Sequence, residues 1–253
     1  MRPIFKIALA ALAFVSVGFA PVSAGSFNDD QKKEIEGMVR GYLLEHPEIL
    51  QEMSDKLQEM QRQAEADARN SMLKEAAPGI FHSATDPVAG NPKGDVTMVE
   101  FMDYNCGYCK KAVGEVAGLV DSDKNLRVVF KELPIIGGEA SEYAAKAALA
   151  AVRQDKYWDL HRALYAHMGH VDKTVTLAIA KSVGIDTDKL QKDMEDPAIA
   201  DMISNNMTLA QSMQLNGTPA FIVDDRVIPG YVPQSELVAA VTAVRANGGC
   251  KFC

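Results

Sequence analysis

One stretch limits what this chain can become. The apolar run Val96 to Met102 leads directly into Asp103-Tyr104-Asn105-Cys106-Gly107-Tyr108-Cys109-Lys110. The run reads as a buried strand, and the residues from about Cys109 read as a helix. Cys106 and Cys109 therefore stand where a strand hands over to a helix. Unpaired backbone N–H groups and the positive end of the helix dipole favour an anion there. A helix start can lower a thiol pKa from about 8.5 into the range of roughly 3.5 to 7.5, and the thiolate is the nucleophile. Lys110 and Lys111 add positive charge in the first turn, which is expected to favour a thiolate further.

The chain has 253 residues, of which 47% are hydrophobic, enough for one sizeable core plus an appendage. Its net charge of -8 argues against nucleic acid and against an anionic membrane surface as partners. Residues 1–24 read as a secretory signal: Arg2 and Lys6 open it, Ile7 to Phe19 are apolar, and Val22-Ser23-Ala24 is a small-residue cleavage site. The apolar run is shorter than the roughly 20 residues a span needs. The signal predicts an oxidising compartment in which disulfide chemistry proceeds. Four cysteines are too few for a disulfide scaffold; they come as two CxxC pairs, Cys106/Cys109 and Cys250/Cys253.

Residues 28–46 carry a helical pattern with Ile35, Met38, Val39 and Tyr42 on one face. After a bend at His46-Pro47, Leu50, Met53, Leu57, Met60 and Ala64 fall at a 3-4-3-4 spacing among charged residues. This narrow apolar seam is of coiled-coil type and predicts self-association, against the alternative of a helix packed on its own domain. Ala77-Pro78-Gly79 is expected to end that helix, with Ile80-Phe81 as a short edge strand and residues 83–95 as loop. Strand 96–102, a helix at about 108–120 and a strand from Asn125 to Leu133 form a strand–helix–strand unit, which predicts a parallel pair. Residues 138–215 are almost entirely helical in pattern. Thr218-Pro219-Ala220-Phe221-Ile222-Val223 and Arg226-Val227-Ile228 read as a hairpin, and Ser235 to Arg245 as a closing helix.

A lone CxxC is weak, because such pairs also bind zinc. With Thr218-Pro219 and the order of elements, the chain resembles the DsbA-like family of secreted thiol–disulfide oxidoreductases. Glu100 to Lys110, Gly217-Thr218-Pro219-Ala220-Phe221 and Pro229-Gly230-Tyr231 carry that resemblance, and Tyr42-Leu43-Leu44-Glu45-His46-Pro47-Glu48 resembles the oligomerising region of its ScsC and Com1-like branch. The resemblance implies an α/β thioredoxin fold with an inserted helical domain, preceded by N-terminal helices. The expected division is signal peptide 1–24, oligomerisation region and stalk 25–76, thioredoxin domain 77–247 with its insert at about 138–215, and a tail 248–253. It implies Cys106 as attacking thiolate, Cys109 as resolving thiol, a redox disulfide Cys106–Cys109, Glu100 as a buried acid that relays the proton of Cys109, and a cis Pro219. Thr218, Gly107 and Tyr108 would meet the substrate.

The family's oxidase carries Pro-His between its cysteines and Val before its cis-proline. Gly107-Tyr108 and Thr218 instead resemble the family's isomerase. The expected activity is thus that of a periplasmic disulfide isomerase or reductase in a Gram-negative cell, forming a dimer or trimer. It would act on secreted cysteine-containing proteins and be served by a membrane thiol reductase of the DsbD or ScsB type, with no cofactor and no metal. A dithiol oxidase, a Cu(I)-binding thiol protein and a holdase-like chaperone are the alternatives. The five histidines are scattered and read as surface or core residues. Cys250 and Cys253 follow two glycines on a tail expected to be mobile; a local disulfide or inert thiols, soft-metal binding and a redox relay all stay open.

Overall fold

The computed structural model describes residues 27–253. The expected signal peptide lies outside them. The chain divides into a helical unit ending at Gln61 and a larger unit, Arg62–Cys253. In the first, α1 (Asp29–Glu45) starts at Asn28, whose side chain accepts from Gln31 N–H while Gln31 reaches back. This reciprocal cap supplies acceptors to two N–H groups that the helix cannot pair internally. Helix α1 ends at His46, and α2 (Glu48–Phe81) follows. Met38, Val39, Tyr42, Leu50, Met53, Leu57 and Met60 are all more than half exposed.

The end of α2 differs from expectation. It runs through Pro78 to Phe81, so Ile80-Phe81 is helix and not an edge strand. A proline inside a helix costs about 3 kcal/mol. Ile80 and Phe81 are fully buried, as is Leu73 one face above, and each such side chain contributes about 1.5–3 kcal/mol. Burial outweighs the lost hydrogen bond.

The larger unit is built on a five-stranded sheet of order β1-β3-β2-β4-β5. Its strands are β1 (Val88–Gly90), β2 (Val96–Met102), β3 (Leu126–Glu132), β4 (Ala220–Val223) and β5 (Arg226–Pro229). Strands β2 and β3 are parallel and joined through α3 (Gly107–Ser122); the other pairs are antiparallel. Strand β1 falls in the expected loop 83–95; three residues are too few to show a period. Gly90, at φ +75, is required there, because a Cβ would meet Leu126 O at 2.5 Å.

All seven residues of β2 are buried, as a central strand covered on both faces requires. Strand parity then sorts the side chains. Met98, Met102, Val128 and Phe130 join α3 and the inserted helices in one core, whereas Val99, Phe101, Val129 and Leu133 join the end of α2 in the other. Glu100 shares the parity of Met98 and Met102, and Glu132 that of Val128 and Phe130, so both acids face the α3 side. Lys131 faces the opposite side, where its ammonium donates to Gly79 O and pairs with Asp86; both side chains are buried.

Helix α3 buries Cys109, Ala112, Val116 and Leu119, one stripe at helical spacing. Truncating Leu119 to Ala is expected to cost about 2–5 kcal/mol. The insert comprises α4 (Glu139–Ala151), α5 (Tyr157–Ala166), α6 (Lys173–Ser182), α7 (Thr187–Met194) and α8 (Pro197–Ser212), and α9 (Gln234–Ala246) closes the fold. Asp172, Asp186 and Asp196 cap α6, α7 and α8 by accepting backbone N–H bonds. No described helix is long and apolar enough to cross a membrane.

The tail also differs from expectation: it is docked. Cys250 and Cys253 form a disulfide. Asp224 Oδ1 accepts from Lys251 N–H and Phe252 N–H, both at 2.7 Å, and Phe252 O lies 3.0 Å from the His82 ring Nε2. Thr97 N–H points at Cys253 Sγ, 3.5 Å away. Two glycines made the tail read as mobile, but Gly248 and Gly249, at φ +92 and +93, form a turn that brings it back to the sheet.

Candidate active site

Cys106 occupies the N-cap of α3 in an extended conformation, with no side-chain cap. The N–H groups of the first turn are thus free to face its sulfur. The Thr218–Pro219 bond is cis, and it delivers the Thr218 carbonyl to the same place: Cys106 Sγ lies 3.0 Å from Thr218 O, to which the thiol form donates. Cys106 is 6% exposed and Cys109 fully buried. The expected Cys106–Cys109 disulfide is not formed; both thiols are free, so this is the dithiol state.

The Cys106 thiol is pushed down to about 5. The Cys109 thiol, which donates to it, is the largest cause. The Thr218 side chain and the N–H groups of Cys109 and Tyr108 act in the same direction, and burial opposes them. The carbonyl of Thr218 serves the protonated thiol and its hydroxyl serves the thiolate. That hydroxyl is buried and without a partner in the dithiol state, so it is available as a donor. The value lies between the roughly 3.5 of the most oxidising and the roughly 7 of the more reducing CxxC sites. Cys109 is pushed strongly up, first by burial and then by its bond to Cys106. One thiol is a ready nucleophile and the other stays protonated.

Glu100 lies on the α3 side of β2, fully buried, with Oε2 unpaired. Burial, and then the Cys106 charge, push its carboxyl up to about 8. It is not an exposed edge residue. When Cys106 is tied into a mixed disulfide its charge vanishes, the Glu100 pKa falls, and a larger share of Glu100 is ionised and able to accept a proton at the moment one must be taken.

The lysines do not act as the sequence predicts. Lys110 Nζ donates to His167 O and Gly169 O, and Lys111 Nζ sits 5.3 Å over the Tyr108 ring. Neither is among the main causes of the lowering of Cys106. Tyr108 itself is 61% exposed and offers the thiolate only its backbone.

Sequence reasoning missed the residues that hold the site's frame. Asp103 accepts from Asn105 N–H, Ser141 Oγ and Ile136 N–H, so it ties the loop before Cys106 to the start of the insert. A motif such as Asp-x-Asn before a helix was the available signal. Tyr104 and Tyr157 both donate to Glu132, and both hydroxyls also lie within reach of His161 Nδ1, in a buried cluster. His161 is the core histidine the sequence allowed, held neutral by burial at about 3. Pairing across 25 to 28 residues leaves no local trace in a sequence.

Among the described residues, the group of His, Cys, Asp and Glu close enough to hold a metal ion is Asp224, Cys250 and Cys253. With the sulfurs joined, it presents no thiolate ligand.

The model of the DSBA-like thioredoxin domain matches residues 97–242, and that of the copper resistance protein ScsC N-terminal domain matches residues 31–64. Among solved structures, a thioredoxin-like oxidoreductase from Silicibacter pomeroyi DSS-3 is 50% identical, with TM-score 0.65 over 67% of this chain and 97% of that one. A linker-deletion and N6K mutant of Proteus mirabilis ScsC is 26% identical, with TM-score 0.67 over 89% of this chain and 100% of that one. A periplasmic thioredoxin-like protein from Salmonella enterica serovar Typhimurium is 31% identical, with TM-score 0.62 over 69% of this chain and 97% of that one. Among curated proteins, a Na(+)/H(+) antiporter NhaA 1 of Salinispora arenicola is 33% identical over 64% of this chain, which covers 25% of that antiporter's length.

Proposed function

Because the chain belongs to the DSBA-like thioredoxin family and carries an ScsC-type N-terminal domain, it is a thiol–disulfide oxidoreductase, and we propose that it acts in the periplasm as a disulfide isomerase or reductase of secreted proteins. The observation that carries the direction is the filling of the CxxC turn. Gly107 has no side chain and Tyr108 turns outward, so no imidazole supports the thiolate, and Cys106 stays short of the lowest values such sites reach. A less stabilised thiolate makes a less oxidising pair. The expected leader and the periplasmic setting of the Salmonella neighbour support the compartment.

In this reading Cys106 thiolate attacks one sulfur of a substrate disulfide. The substrate S–S bond breaks, a mixed disulfide forms, and the displaced substrate thiolate takes a proton from water. In isomerisation another substrate thiolate attacks the mixed disulfide and regenerates Cys106, with no net transfer of electrons. In reduction Cys109 gives its proton to Glu100 and attacks Cys106 Sγ. The substrate leaves reduced, and the new Cys106–Cys109 disulfide has lost two electrons, which a membrane dithiol reductase of the DsbD or ScsB type would restore. Pro219 and Thr218 present a backbone edge to an extended substrate beside Cys106.

Residues 25–76 serve as the self-association region and residues 77–247 as the catalytic domain in this proposal. The uncovered stripe Leu50, Met53, Leu57 and Met60 supports a dimer or trimer. Several sites in one assembly would raise the local thiol concentration around one misfolded substrate. A scrambled-ribonuclease assay with reduced protein tests the reading: activity that Cys106→Ser abolishes is expected. Oxidation of a reduced client without reshuffling would put the dithiol oxidase in its place.

A further inference from the structure

Two polar side chains that adjoin the reactive turn are both committed to one loop. Asn105 precedes Cys106 and pairs with both backbone groups of Val171: Val171 N–H donates to Oδ1 at 2.8 Å, and Nδ2 donates to Val171 O at 3.2 Å. Lys110 follows Cys109 and bonds the carbonyls of His167 and Gly169 at 2.9 and 2.6 Å. The loop between α5 and α6 is therefore bolted to both ends of the Cys106–Cys109 turn. Gly169 lets the His167 ring fold back across it, since a Cβ there would meet His167 Nε2 at 2.8 Å.

Met168 stands between those anchors and is 92% exposed, more than any other large hydrophobic side chain described. A single exposed apolar residue on a loose loop needs no explanation. Here the backbone on both sides is fixed by residues next to the two reactive cysteines. Fixing a contact residue in advance lowers the entropy lost on binding, and a thioether adapts to side chains of varied shape.

We propose that Met168 is a specificity-determining residue, which meets apolar side chains flanking the reacting cysteine of an extended polypeptide. The inference rests on the oxidoreductase reading above. A small disulfide has no flanking chain to reach the loop, and its reaction reads the dithiol alone. The two readings are thereby separable.

The test uses the mature full-length chain with two substrates, glutathione disulfide and a peptide disulfide with apolar residues on both sides of the cysteine. For Met168→Ser, the ratio of peptide to glutathione kcat/KM is expected to fall about three- to tenfold, from the lost apolar contact. Met168→Leu is expected to restore it. Lys110→Gln, which releases the loop without altering its exposed side chain, is expected to lower the same ratio. An unchanged ratio in Met168→Ser, or an equal fall with both substrates, overturns the proposal. Failure of the unmodified protein to react with either substrate overturns the oxidoreductase reading and this one with it.

Discussion

Cys106 Sγ and the carbonyl oxygen of Thr218 lie 3.0 Å apart, although 112 residues separate them in the chain. The carbonyl receives the thiol proton, while the unpaired Thr218 hydroxyl next to it suits the thiolate. Thr218→Val removes the hydroxyl and keeps the shape. The pH midpoint of Cys106 ionisation, followed by thiolate absorbance, is expected to rise from about 5 by about 1 unit. Below pH 5, where Cys106 is protonated, stability should hold or improve, because a buried hydroxyl without a partner is lost. Well above pH 6 the weaker hold on the thiolate is expected to cost about 1.4 kcal/mol against that gain. A midpoint that does not move would exclude the hydroxyl as donor.

Glu100 and Cys106 pull the stability of the reduced protein in opposite directions with pH. Cys106 has a folded pKa of about 5, below the ordinary 9.0, so the unfolded chain binds the extra proton between those values and stability rises with pH. Glu100 has a folded pKa of about 8, above the ordinary 4.5. There the folded chain binds the extra proton, and the stability fully present below 4.5 is lost as pH climbs through 8. Glu100→Gln removes the second effect only. Its unfolding free energy, taken from urea titrations, is expected to gain on the unmodified protein with a slope of up to about 1.4 kcal/mol per pH unit between those limits. Parallel curves would show that Glu100 does not titrate in this range.

Leu57 and Met60 are 57% and 61% exposed on the seam of α2. Leu57→Glu with Met60→Glu is expected to raise the self-association constant for dissociation at least about a hundredfold, because a carboxylate resists burial in an apolar interface. Sedimentation equilibrium reads the change. A mass equal to that of the unmodified chain at all concentrations would move the interface elsewhere.

Asp224 holds the tail through the N–H groups of Lys251 and Phe252. Asp224→Asn keeps one acceptor, whereas Asp224→Ala keeps none. The alanine variant is expected to lose about 2 kcal/mol in thermal or urea unfolding, with the asparagine variant in between. The Cys250–Cys253 disulfide should also become easier to reduce, since the docked tail no longer shields it. Equal reduction rates in all three proteins would show that docking does not protect it.

The reactive turn, the sheet that carries it and the insert were legible because each has a local signature: an apolar run, a CxxC at a helix start, a helical pattern over residues 138–215. What escaped was set by distance. The docking of the tail depends on His82 and Asp224, far along the chain from Phe252. The continuation of α2 past Pro78 depends on a core that only the folded sheet provides. Lys110 read as a charge for the thiolate because its true partners, two loop carbonyls 57 and 59 residues later, carry no sequence signal.

Parity along β3 has one more consequence. Glu132 and Lys131 are neighbours on opposite sides of the sheet. Losing one residue between Ser122 and Leu126, if the pairing with β2 slipped to compensate, would send the lysine toward the dithiol and the glutamate away. An ammonium would then stand on the face where Glu132 now lies, and Glu100 would face a counterion across the strand pair. For this strand the length of the preceding turn is as strict a requirement as the identity of any residue, and insertions or deletions there should be tolerated only in compensated pairs.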